Sequence, residues 1–197
     1  MITIELVGYE GARKLFDPRA VNKAARLAIN EAGRAARVAG ANQIFKYWSL
    51  KRGDINKKLS LSLARGDGLT ARLTVASESF SLTYFGAKQF AGARVISRQK
   101  GTVTKKRRSS KSGVYVRVTR GGSVQHLPSS FIARMKSGHV GVFVRPNKQS
   151  RHIVERALIT VPSMFRQDKI MNPVRRAIGS TWSERFGHHL DRFTGPS

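Results

Sequence analysis

The amino-acid sequence predicts an α+β protein: a mostly antiparallel sheet packed by a long N-terminal helix and a C-terminal amphipathic helix, with a long basic arm between strands. Three observations carry that expectation. Behind Asp17-Pro18, small apolar residues recur at steps of three and four from Val21 to Ala39, in a helix expected to run to about Trp48. LSLSL at 59–63 and LTARLTV at 69–75 each alternate apolar with polar residues around Gly66, Asp67 and Gly68. Near the end, Val174, Ile178, Trp182, Phe186 and Leu190 step by four, which puts them on one helix face. A chain of 197 residues, 40% of them apolar, is long enough to bury a core as a single domain, and no linker or internal repeat divides it.

In order along the chain, Ile2, Ile4 and Leu6 alternate with Thr3 and Glu5 as in a half-buried strand, which Gly8 and Gly11 break, so that 1–16 reads as strand and loop. Asp17 caps a helix over 17–48, because its carboxylate accepts orphan amide hydrogens and Pro18 at the first helical position loses no hydrogen bond. The seam Val21, Ala25, Ala28, Ala32, Ala35 and Ala39 is narrow and small. Gly33 and Gly40 each weaken a helix by roughly 1 kcal/mol relative to Ala, so they imply another backbone very near. That backbone is either the chain's own sheet or a neighbouring subunit; Ala32, Gly33, Ala36 and Gly40 are the candidate interface residues.

Asp54 is placed to cap one turn through INKK, followed by the hairpin and a third run, FSLTYFG at 80–86, all within 54–90. Residues 91–113 lose any period and form a basic arm, either a hairpin or a loop. Strands resume over 114–160: Val114, Val116 and Val118 alternate with Tyr115, Arg117 and Thr119, a short element surrounds Phe131, and GHVGVFVRP ends at Pro146. The helical part, 161–197, starts at VPSMF; Pro173 either opens its main helix with Asn172 as cap or sits inside a longer one.

The charge is as informative as the periods. Lys and Arg number 37 against 11 Asp and Glu, a formal net charge of +26, and between Glu78 and Glu155 lie 76 residues with 16 Lys or Arg and no carboxylate. An excess of that size implies a polyanion nearby. Arg94, Arg98, Lys100, Lys105, Lys106, Arg107, Arg108 and Lys111 are the candidate phosphate contacts. They supply neutralising charge without base-reading geometry, so binding is expected to depend steeply on salt and weakly on sequence. Because 91–113 contains no Phe, Tyr or Trp, single-strand stacking is not expected of the arm itself.

Other chemistry is not offered. Cysteine is absent, which removes disulfides and thiolate chemistry; the five His have no metal-ligand spacing, and His188 and His189, as neighbours, point to different helix faces. No phosphate-cradling glycine loop, HEXXH or nucleophile elbow occurs, and a metal nuclease would need converging carboxylates where the basic region has none. We therefore expect no enzyme activity, no cofactor, no metal and no small-molecule substrate. No apolar run is long enough to span a bilayer, and MITIELVGYEG has no basic n-region, so a soluble intracellular product is expected.

RGDINKKLSL at 52–61, YFGA at 84–87, LPSSFIARM at 127–135, GHVGVFVR at 138–145 and VPSMF at 161–165, in that order, resemble the minor tail protein Z family of long-tailed phages, the lambda-type tail completion proteins. The resemblance runs from about Val21 to Leu190, and the arm at 94–113 has no residue-by-residue counterpart. It implies a structural role at the head-proximal end of the tail, in the virion after assembly in the host cytoplasm. The implied partners are the tail terminator, tail tube and connector, further copies of the chain in a ring matching the tail's six-fold symmetry, and the phage genome in the tail lumen. Two other classes fit the charge: a free nucleic-acid binder without sequence preference, and a scaffold whose arm docks acidic tail or connector subunits.

Overall fold

A computed structural model describes residues 6–90, 112–147, 151–156 and 159–194, and the backbone ladder of 96–99 and 102–105. It is a mixed helix and sheet protein with antiparallel pairing throughout the described ladders, as expected. The chain forms two compact units. One comprises Met1–Phe45, Arg52–Ser77 and Val161–Ser197, and the other Lys46–Lys51 and Glu78–Thr160.

The first unit is mainly helical. Helix α1 spans Tyr9–Leu15, where a loop was expected: Gly8 takes φ 87° just before it, and Gly11 is accommodated inside, with open space around its Cα. The strand expected over 2–6 lies largely outside the described residues. Helix α2 spans Pro18–Tyr47. Asp17 Oδ1 accepts a hydrogen bond from the Arg19 amide at 3.2 Å, the capping that the Asp-Pro pair implies. Its buried face begins along the predicted seam at Val21, Ala25, Ala28 and Ala32 but continues through Ala36, Gly40 and Ile44, leaving Ala35 and Ala39 half-buried. The cause is geometric: steps of four outrun a 3.6-residue turn, so the stripe winds round the helix, whereas a 4-3 seam would hold only in a supercoil.

That winding presents the two ends of α2 to different neighbours. Val21, Ala24, Ala25 and Ala28 pack with Ala12 of α1 and with Trp182 and Phe186, whose rings stack 4.8 Å apart. A Cβ at Gly40 would stand 2.7 Å from Phe165 Cζ, and one at Gly33 would stand 3.2 Å from Leu61. The two glycines thus face side chains of the same chain, not the nearby backbone that they implied.

Helix α3, Arg52–Lys57, contains Asp54 in its first turn, one turn earlier than a cap at that residue would allow. Strands β1, Leu59–Ser62, and β2, Arg72–Val75, pair with Leu59 opposite Val75 and Leu61 opposite Leu73, the apolar residues turned inward and Ser60, Ser62, Arg72 and Thr74 exposed. The hairpin is shorter than its periods suggest because α2 ties down the connection. Asn30 donates Nδ2–H to the Ala64 carbonyl at 3.1 Å and accepts the Ala64 amide at 2.7 Å. Helices α4, Val161–Phe165, and α5, Asp168–Thr194, complete the unit. Pro173 lies inside α5, and Asn172 is not its cap. The Gln167 carbonyl accepts the amides of Ile170 and Met171, starting the helix upstream, so Pro173 falls near the start, where a missing N–H is least costly.

The second unit is built of short strands. These are β3 (Ser79–Phe80), β4 (Lys88–Phe90), β5 (Ile96–Gln99), β6 (Thr102–Lys105), β7 (Gly113–Val116), β8 (Gln125–Leu127), β9 (Ser130–Arg134), β10 (Val140–Val144), β11 (Val154–Glu155) and β12 (Ile159–Thr160). They pair as β4-β7-β8, β11-β10-β9, β3-β12 and β5-β6. The third run, expected as a strand, is instead β3 followed by a 3-10 turn over Leu82–Phe85, closed by Gly86 at φ 73°. Its buried residues Phe80, Leu82 and Phe85 are spaced two and then three apart, a period that only a strand-to-helix switch can bury together. Val114, Val116 and Val142 are buried, and Trp48 meets the Phe85 ring edge-on at 6.5 Å.

Candidate nucleic-acid interface

Of the candidate phosphate contacts, Arg98 lies on β5 opposite Val103, and Lys105 lies on β6 opposite Ile96. Residues 96–105 thus include a hairpin ladder, one of the two forms the sequence allowed, and β5 and β6 make a two-stranded sheet of their own. Arg94, Lys100, Lys106, Arg107, Arg108 and Lys111 lie outside the described residues. Of the candidate interface residues, Ala32, Ala36 and Gly40 are buried and Gly33 is half-buried; Ala32 belongs to the core with Trp182 and Phe186, Gly33 faces Leu61, and Gly40 faces Phe165.

The unit that carries the arm has 19 Lys and Arg against two carboxylates, Glu78 and Glu155. His139 Nε2 lies 2.9 Å from Glu155 Oε1. Lys88, Arg117, Arg134, Lys136 and Arg151 are exposed. Arg120 has a different use: its Nε donates to the Trp48 carbonyl at 3.1 Å, beside an antiparallel bridge between Trp48 and Thr119.

The arm leaves the fold at Phe90 and returns at Gly113, and these two residues face each other across the β4-β7 ladder. Gln89 fixes β4, its Oε1 accepting the Ile132 amide at 2.7 Å. Sequence reasoning missed what gathers here. Phe90 meets Tyr115 edge-on with centroids 5.4 Å apart, and Tyr115 stacks on His126 at 4.5 Å and 23°. The signal was available, since the alternation that buries Val114 and Val116 puts Tyr115 and Arg117 on the other side of the strand. His126 was out of reach of any local pattern.

A cavity of about 440 Å³ lies elsewhere in this unit, walled by Leu82, Val116, Val118, Leu127 and Ile159, with Arg156 at its lining. Arg156 Nε is buried there without a hydrogen-bond partner. Among the described residues no group of three or more His, Asp or Glu is placed to hold a metal ion, and no helix is long and apolar enough to cross a membrane.

Fold and charge together define a basic α+β protein whose β unit carries 19 Lys and Arg against two carboxylates. Residues 13–193 match the prophage minor tail protein Z (GPZ) family, and the chain belongs to that family, which makes it a component of a phage tail. No curated protein and no solved structure matches it.

Proposed function

We propose that this tail protein completes the head-proximal end of the tail for head-tail joining, and that its basic arm holds the leading end of the genome by its phosphates without reading sequence. Family membership supports the tail role. The observation that carries the DNA contact is the stretch between Glu78 and Glu155, with 16 Lys or Arg and no acid. A tail tube is the path of the genome, so cations there meet phosphate at close range, and each phosphate neutralised contributes about 0.9 to the logarithmic salt slope on duplex DNA. Assembly as a ring, in keeping with tail symmetry, would multiply the arms around that path.

Deleting the gene and viewing the lysate by negative-stain microscopy, with a plaque assay, tests the first half. Unjoined or non-infectious particles rescued by the supplied protein are expected; intact infectious particles overturn it. Changing Lys105, Lys106, Arg107 and Arg108 to Gln tests the second. Particles that join but fail to position or eject DNA are expected, whereas normal infectivity assigns the arm no role in DNA handling.

A further inference from the structure

We infer that the outer face of the β4-β7-β8 sheet, at the root of the arm, is a stacking site for the unpaired bases of single-stranded nucleic acid. The inference rests on the proposal that this protein holds nucleic acid, and names the form it takes at this surface. Strand pairing sets Lys88 beside Tyr115 and Tyr115 beside His126, with Phe90 two residues on from Lys88, so all four share one face. The opposite face carries Val114 and Val116, both buried. Phe90 is 46% exposed although it sits in a paired strand.

The rings are arranged for further stacking. Tyr115 and His126 already lie nearly parallel, and Phe90 stands across them at 86°. Neighbouring strands lie about 4.8 Å apart, so three rings on three strands span room for two or three bases. Gly113, at φ 139°, is needed for this: a Cβ there would stand 2.8 Å from His126 Nε2. The flanking charge selects the partner. Lys88 and Arg117 are exposed, the face carries no carboxylate, and aromatic platforms beside cations bind strands whose bases are free to stack. Duplex bases are stacked on one another and cannot use such a platform.

The test measures fluorescence anisotropy of labelled oligo-dT and of a duplex of equal length, titrated with the full chain. Phe90→Ala is expected to weaken oligo-dT binding about tenfold, leaving duplex affinity and salt slope unchanged, with Phe90→Trp restoring binding. Equal loss on both probes, or less than about a twofold loss on oligo-dT, overturns the stacking site. Sedimentation of the same variants covers the other occupant: if Phe90→Ala dissociates an oligomer while oligo-dT affinity holds, the face belongs to a second copy and the inference falls. Neutralising Lys105 to Arg108 separates the two readings. If that variant binds both probes normally while Phe90→Ala still loses oligo-dT selectively, the phosphate-holding arm is wrong and the stacking site stands; if the unaltered protein binds neither probe, both are overturned.

Discussion

The helical unit and the β unit carry nearly equal numbers of Lys and Arg, 18 and 19, but nine carboxylates against two. In the helical unit the charges take part in the packing. Glu31 on α2 receives Arg185 Nε at 3.2 Å and lies 3.0 Å from His189 Nε2, joining α2 to α5. Cationic stems also lie over rings, with Lys23 Nζ 4.4 Å from the Phe193 centroid and the Arg52 guanidinium 5.4 Å from that of Phe45. In the β unit the two carboxylates, Glu78 and Glu155, cannot balance 19 cations, and among the described residues Lys88, Arg117, Arg134, Lys136 and Arg151 are exposed. The two units thus differ in charge balance: the helical unit has one carboxylate for every two cations, and the β unit about one for every ten.

The largest effect expected in the helical unit comes from Trp182→Ala. It removes the stack on Phe186 and the hydrogen bond from Nε1 to the Val7 carbonyl at 3.3 Å, and should lower unfolding free energy by about 3–5 kcal/mol in a urea titration. A loss under about 1 kcal/mol would mean that this core does not carry the unit's stability. Gly40→Ala should follow at about 1–3 kcal/mol, because the new methyl group meets the Phe165 ring, itself only 6% exposed and packed in place. An unchanged transition there would show that Phe165 can move away. Asn30→Ala should cost about 1–2 kcal/mol, since it orphans both backbone groups of buried Ala64; thermal melting reads it directly.

The smallest effects on stability belong to the β unit. Lys88→Gln or Arg134→Gln should move stability by less than about 0.5 kcal/mol. If Lys88 contacts phosphate, its replacement should also reduce the salt slope of DNA binding by about 0.9. A cation on this surface whose removal destabilised the fold as strongly as Asn30→Ala would erase the contrast between the units. Raising salt sharpens the same contrast: screening should increase the melting temperature by relieving repulsion, as expected for a chain of charge +26.

Much of the fold was legible in the residues because local physics decides it. The Asp17-Pro18 start, the small-residue period behind it and the alternation of LSLS against RLTV each specify an element without reference to anything distant. Reading failed where a local signal had two meanings. Gly8 and Gly11 suit a break in the chain, yet Gly8 serves as the left-handed residue before α1 and Gly11 sits within it. FSLTYFG has strand composition, but burying Phe80, Leu82 and Phe85 together required a 3-10 turn. The candidate arm was visible as charge. Its aromatic root was not, because Phe90, Tyr115 and His126 are neighbours only through strand pairing.

The amino-acid sequence by itself determined the two long helices, the LSLS and RLTV hairpin, the basic excess and its placement between two distant glutamates, because period, capping and charge are properties of neighbouring residues. Only the tertiary structure decided that Gly33 and Gly40 receive Leu61 and Phe165 of their own chain, and that three rings from three strands share one face. Those outcomes depend on pairing register and helix winding, which bring together residues that no local pattern relates.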